Sequence, residues 1–275
     1  MDNHYQVLEY KRSYNDLVKD RTFAPLGRYK DCFYISKRKL FFKEEQDRIN
    51  YELLGDIIAN NLEIDHTNYQ PCIIKTTTRE MKGLISKDYR IPNHLLIKFD
   101  KILGNKDMKL DNILLSLNIY FKDYHNREEI INRIYNDVIK HYMLDLLLGN
   151  IDNGKYNYEL IVGDDNAYLS PYSDFGMIFN FTSTNLRVNN EIDNSLYNNL
   201  RLFLTNDLYY KEFIKMYKKI TPDRMEELLK EVEDAKNIPL EDNFKNIVFL
   251  SYTKHYLIID GIIKEINKDK RKRKK

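Results

Sequence analysis

LGNIDNGKYN, residues 148–157, and YLSPYSDFG, residues 168–176, are the two stretches that decide how this chain folds and which chemistry it can carry out. An apolar helix ends near Leu148, and Gly149-Asn150 is a stop signal, so Asp152 falls on the loop just past a rigid element. Asn157 opens the strand-like run YNYELIVG, Asp164, Asp165 and Asn166 supply a turn, and AYLSP returns as the second arm of a β-hairpin. The hairpin carries the chain out and back and brings Asp174 beside Asn157. Phosphoryl transfer asks little covalent work of a protein and rests on positioning and on neutralising phosphate charge. One Asp orients the attacking hydroxyl, while an amide and a second carboxylate hold Mg²⁺ against the nucleotide phosphates. Asp152, Asn157 and Asp174 fit those roles in that order, with Asp152 as catalytic base or orienter. In the plainer reading Asn150 and Asp152 only cap and turn, and Asp174 only starts a turn.

LLLGNIDNGKYNYELI followed by LSPYSDFG resembles the catalytic core of the HipA-like serine/threonine kinases, which are distantly related to the phosphoinositide 3- and 4-kinases. That family shows a Gly-Asn-x-Asp segment, an Asn five residues after the Asp, and a Pro closely followed by an Asp-Phe-Gly-like metal motif. Gly149, Asn150, Asp152, Asn157, Pro171 and Asp174 stand on those positions. Family members commonly have a basic residue and then His directly after the Asp, where this chain has Asn153 and Gly154. The resemblance implies ATP and Mg²⁺ as cofactors and transfer of the γ-phosphate to Ser or Thr of a protein substrate. It also brings the family's settings: toxins restrained by an antitoxin-type partner, or effectors carried by pathogens.

The N-terminal third fits the same frame. KLFFKEE, residues 39–45, is a short strand carrying Lys43, and a helix-like segment follows from about Gln46 to Asn61 with Ile49, Leu53, Ile57 and Ile58 on one apolar face. A strand lysine facing a helix glutamate is how kinases clamp nucleotide phosphates. The family's Asn-x-Glu helix points to Glu52 as the partner, with Glu44 and Glu45 as alternatives. PLGRYK, residues 25–30, occupies the place of the phosphate-covering loop, with Gly27 and Lys30 as its candidate contacts, although an ordinary basic turn would read the same. HLLIKFDKI, residues 94–102, resembles the strand entering the interlobe hinge, where backbone groups of Lys98, Phe99 and Asp100 would meet the adenine edge.

Composition sets the outer bounds. At 275 residues with 43% apolar residues the chain suits one two-lobed domain, and its 22 Tyr and 13 Phe, with no Trp, make large amphipathic rings a main packing material. Cys32 and Cys72 stand in no metal-ligand spacing and imply a reducing, cytoplasmic setting, with secretion as an effector also open. Six scattered histidines form no zinc motif. No stretch approaches the roughly 18 apolar residues of a membrane span. After Met108 the pattern turns helical, through LDNILLSLNIYFKDY, REEIINRIYNDVIKHYMLDLLL, NSLYNNLRLFL, YYKEFIKMYKKI and PDRMEELLKEVEDA to a last helix over about Leu240 to Ile266. The end, KDKRKRKK, carries a net +6, which leaves −4 on the rest of a chain of net charge +2. Nucleic-acid contact is therefore expected only through this tail.

The expectation is an α+β, bilobal, protein-kinase-like fold. Residues 1–103 form a small β-rich N-lobe over the nucleotide, residues 104–267 a larger, mostly helical C-lobe with the catalytic and metal loops, and residues 268–275 a basic disordered tail. Two alternatives stand beside the protein kinase: a pseudokinase acting as a nucleotide- or partner-binding module, and a small-molecule or lipid kinase.

Overall fold

Alternation of side chains along the strands builds the first sheet. The structure, a computed structural model, describes residues 6–9, 11, 13, 30–35, 38–44, 48–150, 154–155, 157–179 and 190–273. β1 (Gln6–Glu9), β2 (Lys30–Ile35), β3 (Arg38–Glu44), β4 (Gln70–Lys75) and β5 (Glu80–Lys87) form a five-stranded sheet in the order β1-β4-β5-β3-β2, with only β1 and β4 parallel. One face is a small core of Leu40, Phe42, Cys72, Ile74, Met81 and Ile85. The register pairs Lys43 with Leu84, so these two share the opposite face, and Leu84 joins the main core beneath helix α1 (Ile49–Asn61).

The second sheet is β6-β7-β8, built from Leu95–Lys98, Glu159–Val162 and Ala167–Leu169. β7 and β8 are the expected hairpin. Because β6 pairs with β7 and not with any strand of the first sheet, the crossing between lobes lies at residues 88–94. The lobe boundary expected near residue 103 therefore moves upstream by about a dozen residues. A short helix α2 (Phe99–Leu103) follows, then α3 (Leu110–Tyr120) and the long α4 (Arg127–Leu148). α4 is buried on two sides: Ile130, Ile134 and Val138 pack on α3 and the second sheet, while Met143, Leu146 and Leu147 face the main core. It ends at Gly149 in the left-handed conformation (φ 60°), whose N–H donates to the Asp145 carbonyl, the stop expected from the sequence.

Four C-terminal helices, α5 (Asn190–Phe203), α6 (Asp207–Lys219), α7 (Pro222–Lys236) and α8 (Asp242–Arg273), complete the larger lobe. Pro222 sits in the first turn of α7, and Thr221 Oγ1 caps it by accepting from Arg224 N at 3.2 Å. α7 packs directly on α1. Lys236 Nζ donates to Asn50 Oδ1 at 2.7 Å and Arg224 Nη2 to Asn61 Oδ1 at 2.7 Å, so a helix with no legible role in the sequence braces the helix that carries Glu52.

The disordered tail is corrected as well: α8 runs through Arg273, past the expected end at Ile266. Lys and Arg are good helix formers, and Lys270 meets both the Asp207 carboxylate at 2.6 Å and the Tyr210 ring at 4.0 Å. With the pair largely exposed, Lys270→Ala should cost only about 0.5–1 kcal/mol, measured by urea unfolding. Among the described residues no helix is long and apolar enough to cross a membrane.

Candidate functional site

Lys43 reaches across from β3 to α1 and pairs with Glu52 through Nζ and Oε1. Glu52 is 1% exposed, and its second oxygen accepts the backbone N–H of Phe175 at 3.1 Å. One buried carboxylate thus ties the strand lysine to the Asp174-Phe175-Gly176 segment. Burial raises the Glu52 pKa above the usual carboxylate range, Lys43 opposes the shift, and the nearby Asp174 adds to it. Glu44, one of the alternatives to Glu52, instead pairs with Arg79 on the sheet surface, and Glu45 lies outside the described residues.

Phe175 is fully buried against α1, where Gly55 leaves the space: a Cβ there would lie 2.3 Å from the Phe175 ring. The strand-like segment before it is stitched to the loop between α1 and β4. Thr67 N donates to Tyr172 O at 3.1 Å, Tyr172 N to Asp65 O at 3.0 Å, and Tyr69 Oη to Ser173 O at 2.9 Å. The residues on either side of Asp174 are thus held by α1 and the loop that follows it, while Asn150 Nδ2 donates to the Asp174 carbonyl at 3.4 Å from the end of α4.

Asn157 and Asp174 line one small cavity together with His141, Asp145, Tyr158, Ser170, Pro171, Tyr172 and Ser173. The hairpin β7-β8 brings them together, since Asn157 precedes β7 and Asp174 follows β8. An amide oxygen and a carboxylate are hard donors of the kind Mg²⁺ takes, and kinase sites combine them with phosphate oxygens and water. Asp152 and Gly27 lie outside the described residues. Lys30 opens β2 in register with Lys43.

The structure places Lys98 at the end of β6 and Phe99 and Asp100 in the first turn of α2. Lys98 pairs with Glu159 in the second sheet, the Phe99 N–H is spent on Tyr158 O at 3.0 Å, and the Phe99 ring is fully buried. An apolar strand following a loop reads alike on either side of a hinge, and only the strand pairing separates the two. The connection 88–94 is the segment that crosses from the first sheet to the second. Tyr89 packs on Phe41 at 5.1 Å between centroids and donates through its hydroxyl to Glu159 Oε2 at 3.1 Å, linking the first sheet to the second.

A residue that sequence reasoning passed over lies under the cavity. Asp145, within the apolar run MLDLLL of α4, is 2% exposed and accepts from Asn150 Nδ2 at 2.9 Å, from Tyr158 Oη at 3.0 Å and from Tyr172 Oη. Its signal was the lone charge in an apolar helical stretch. His141, one turn earlier, is buried edge-on to Tyr172 at 5.1 Å, and burial pushes its pKa down to about 3, so it is neutral. Burial pushes Asp145 up to about 7; the three donors pull it down and Asp174 pushes it further up. Between its ordinary value of 3.8 and about 7 the folded protein holds a proton that the unfolded chain has released. This group therefore makes the fold lose stability as pH rises through that window. Asp145→Asn has no such titration, and its unfolding free energy relative to the parent should climb between pH 4 and 7 in urea titrations.

Neither a protein-family model nor a curated protein sequence matches the chain. Solved structures do. The proinflammatory kinase CtkA of Helicobacter pylori superimposes with a TM-score of 0.56 at 16% identity, over 87% of this chain and 94% of that one. HipA of Shewanella oneidensis MR-1, solved with HipB and operator DNA, gives 0.52 at 13% identity over 88% of this chain and 66% of that one. The Golgi casein kinase gives 0.50 at 12% identity over 92% and 75%, and was also solved with Mn and ADP bound. A small β-sheet lobe, a helical lobe and these likenesses make the fold kinase-like, as the resemblance to the HipA-like kinases carried by residues 149–176 led one to expect.

Proposed function

We propose that the chain is a phosphotransferase that uses ATP and Mg²⁺ and transfers the γ-phosphate to Ser or Thr of a protein. The observation that carries this reading is the path from Lys43 through Glu52 to the Phe175 N–H, which sets a cation beside the loop bearing Asp174. Lys43 would hold nucleotide phosphates, and Glu52 would keep its ammonium in place. Asn157 and Asp174 would hold Mg²⁺, which when bound neutralises phosphate charge. Asp152 would orient the acceptor hydroxyl and take its proton. The backbone of residues 88–91, not of 98–100, would meet the adenine edge. Occurrence with an antitoxin-type partner or as an effector, and a cytoplasmic setting, belong to the same proposal and draw on the HipA and CtkA likenesses.

One observation favours a second reading as a pseudokinase. Gly154 stands where the resembling family carries the His of its basic-His pair, and no atom of the described residues lies within 4 Å of a Cβ placed there, so no packing among them accounts for the missing imidazole. Purified protein incubated with γ-labelled ATP, Mg²⁺ and a cell lysate separates the readings. Alkali-labile label on protein supports the Ser/Thr kinase, and label extracted into small molecules or lipid supports the small-molecule or lipid alternative. No transfer by a protein that still binds MgATP supports the pseudokinase.

A further inference from the structure

We propose that Asp145 is a positioning residue that anchors Asn150, Tyr158 and Tyr172 and through the latter two sets Asn157 and Asp174, and with them the affinity for the divalent cation; this rests on the kinase reading above. Its three donors come from three different segments. Asn150 stands two residues before Asp152, Tyr158 directly follows Asn157, and Tyr172 stands two residues before Asp174. Asn150 Nδ2 also lies 2.7 Å from Tyr172 Oη and 3.4 Å from the carbonyl of Asp174 itself, which closes the cluster.

Asp145 is itself a poor candidate for direct coordination. Its Oδ1 is taken by Asn150 and Tyr172 and its Oδ2 by Tyr158, and the side chain is nearly sealed from solvent. Packing alone does not call for a carboxylate here, because a buried charge is usually no more stabilising than an apolar side chain of similar volume. A fixed acceptor for three donors on three loops is what an apolar residue cannot supply. The rigid end of α4 thus provides a common reference point for residues otherwise joined only by loops and a hairpin. Outer groups of this kind typically alter metal affinity by 10- to 100-fold when removed.

The test compares the full-length parent with Asp145→Asn, Tyr158→Phe and Tyr172→Phe, following thermal unfolding with ATP alone and with ATP while Mg²⁺ is titrated. Asp145→Asn should raise the Mg²⁺ needed for half-maximal stabilisation by about 10-fold, and each Tyr→Phe by about 2- to 5-fold, while the response to metal-free ATP stays that of the parent. A merely structural role would instead lower the unfolding temperature of the free protein and leave the Mg²⁺ midpoint in place, which overturns the proposal. So does an equal loss of ATP response with and without Mg²⁺. Should Asp145→Asn fail to fold, the two Tyr→Phe variants decide alone, and parental Mg²⁺ midpoints in both overturn it. A parent that does not respond to MgATP at all overturns the kinase reading and this inference with it, whereas a responsive parent with unchanged variants overturns only the inference.

Discussion

Asp152→Asn is expected to cut phosphotransfer by roughly 10²-fold or more while leaving MgATP affinity within a few-fold of the parent. A positioned base or orienter acts on the acceptor hydroxyl in the transition state and contributes little to nucleotide binding. Asp174→Asn should split the other way. In the proposed site it would remove a charge from the shell where protein and phosphate oxygens meet the metal, so MgATP binding should weaken about 10-fold or more, together with transfer. Isothermal titration with MgATP and initial rates of label transfer measure both quantities. Full transfer by Asp152→Asn would remove Asp152 from the chemistry and take the assignment of residues 149–157 with it.

Gly55→Ala should be the most damaging substitution at a position that touches no ligand. The added Cβ would lie 2.3 to 2.4 Å from three atoms of Phe175, well inside van der Waals contact, and both residues are buried. Ala is favoured over Gly within a helix by about 1 kcal/mol, but overpacking at such distances costs about 1–3 kcal/mol or more, so the steric effect wins. Relief requires α1 and the Phe175 loop to part. That movement stretches the bond from Phe175 N–H to Glu52 and shifts Asp174. Expected results are a net loss of stability in urea and MgATP binding weakened by about 10-fold, a size we set by analogy with removal of outer metal-site groups. Parental values for both would mean that α1 and Phe175 are not packed as described.

How far the sequence could be read follows from which interactions are local. Gly149 stopping α4, the hairpin that brings Asn157 and Asp174 together, and Pro222 opening α7 all depend on residues close in the chain, and each was legible. Pairing of Lys43 with Glu52 was legible through the motif resemblance, since nothing local distinguishes Glu52 from Glu44. The pairing of β6 was not legible because LLIK has the same apolar pattern whether it pairs with β5 or with β7, and strand pairing is a nonlocal choice. Asp145 was missed for a related reason: its three donors lie 5, 13 and 27 residues away in sequence and converge only in the fold. The basic tail was read from charge alone, which carries no information about Asp207 and Tyr210 waiting on α6.

Thermal unfolding of the intact chain with ATP, in the presence and absence of Mg²⁺, tests the central claim that Lys43, Asn157 and Asp174 belong to a metal-dependent nucleotide site. At a hundred times its dissociation constant MgATP should add about 2.7 kcal/mol to the unfolding free energy, seen as a clear rise in midpoint that is reduced when Mg²⁺ is withheld and in Asp174→Asn. An unchanged midpoint through millimolar ATP, with and without Mg²⁺, would contradict it.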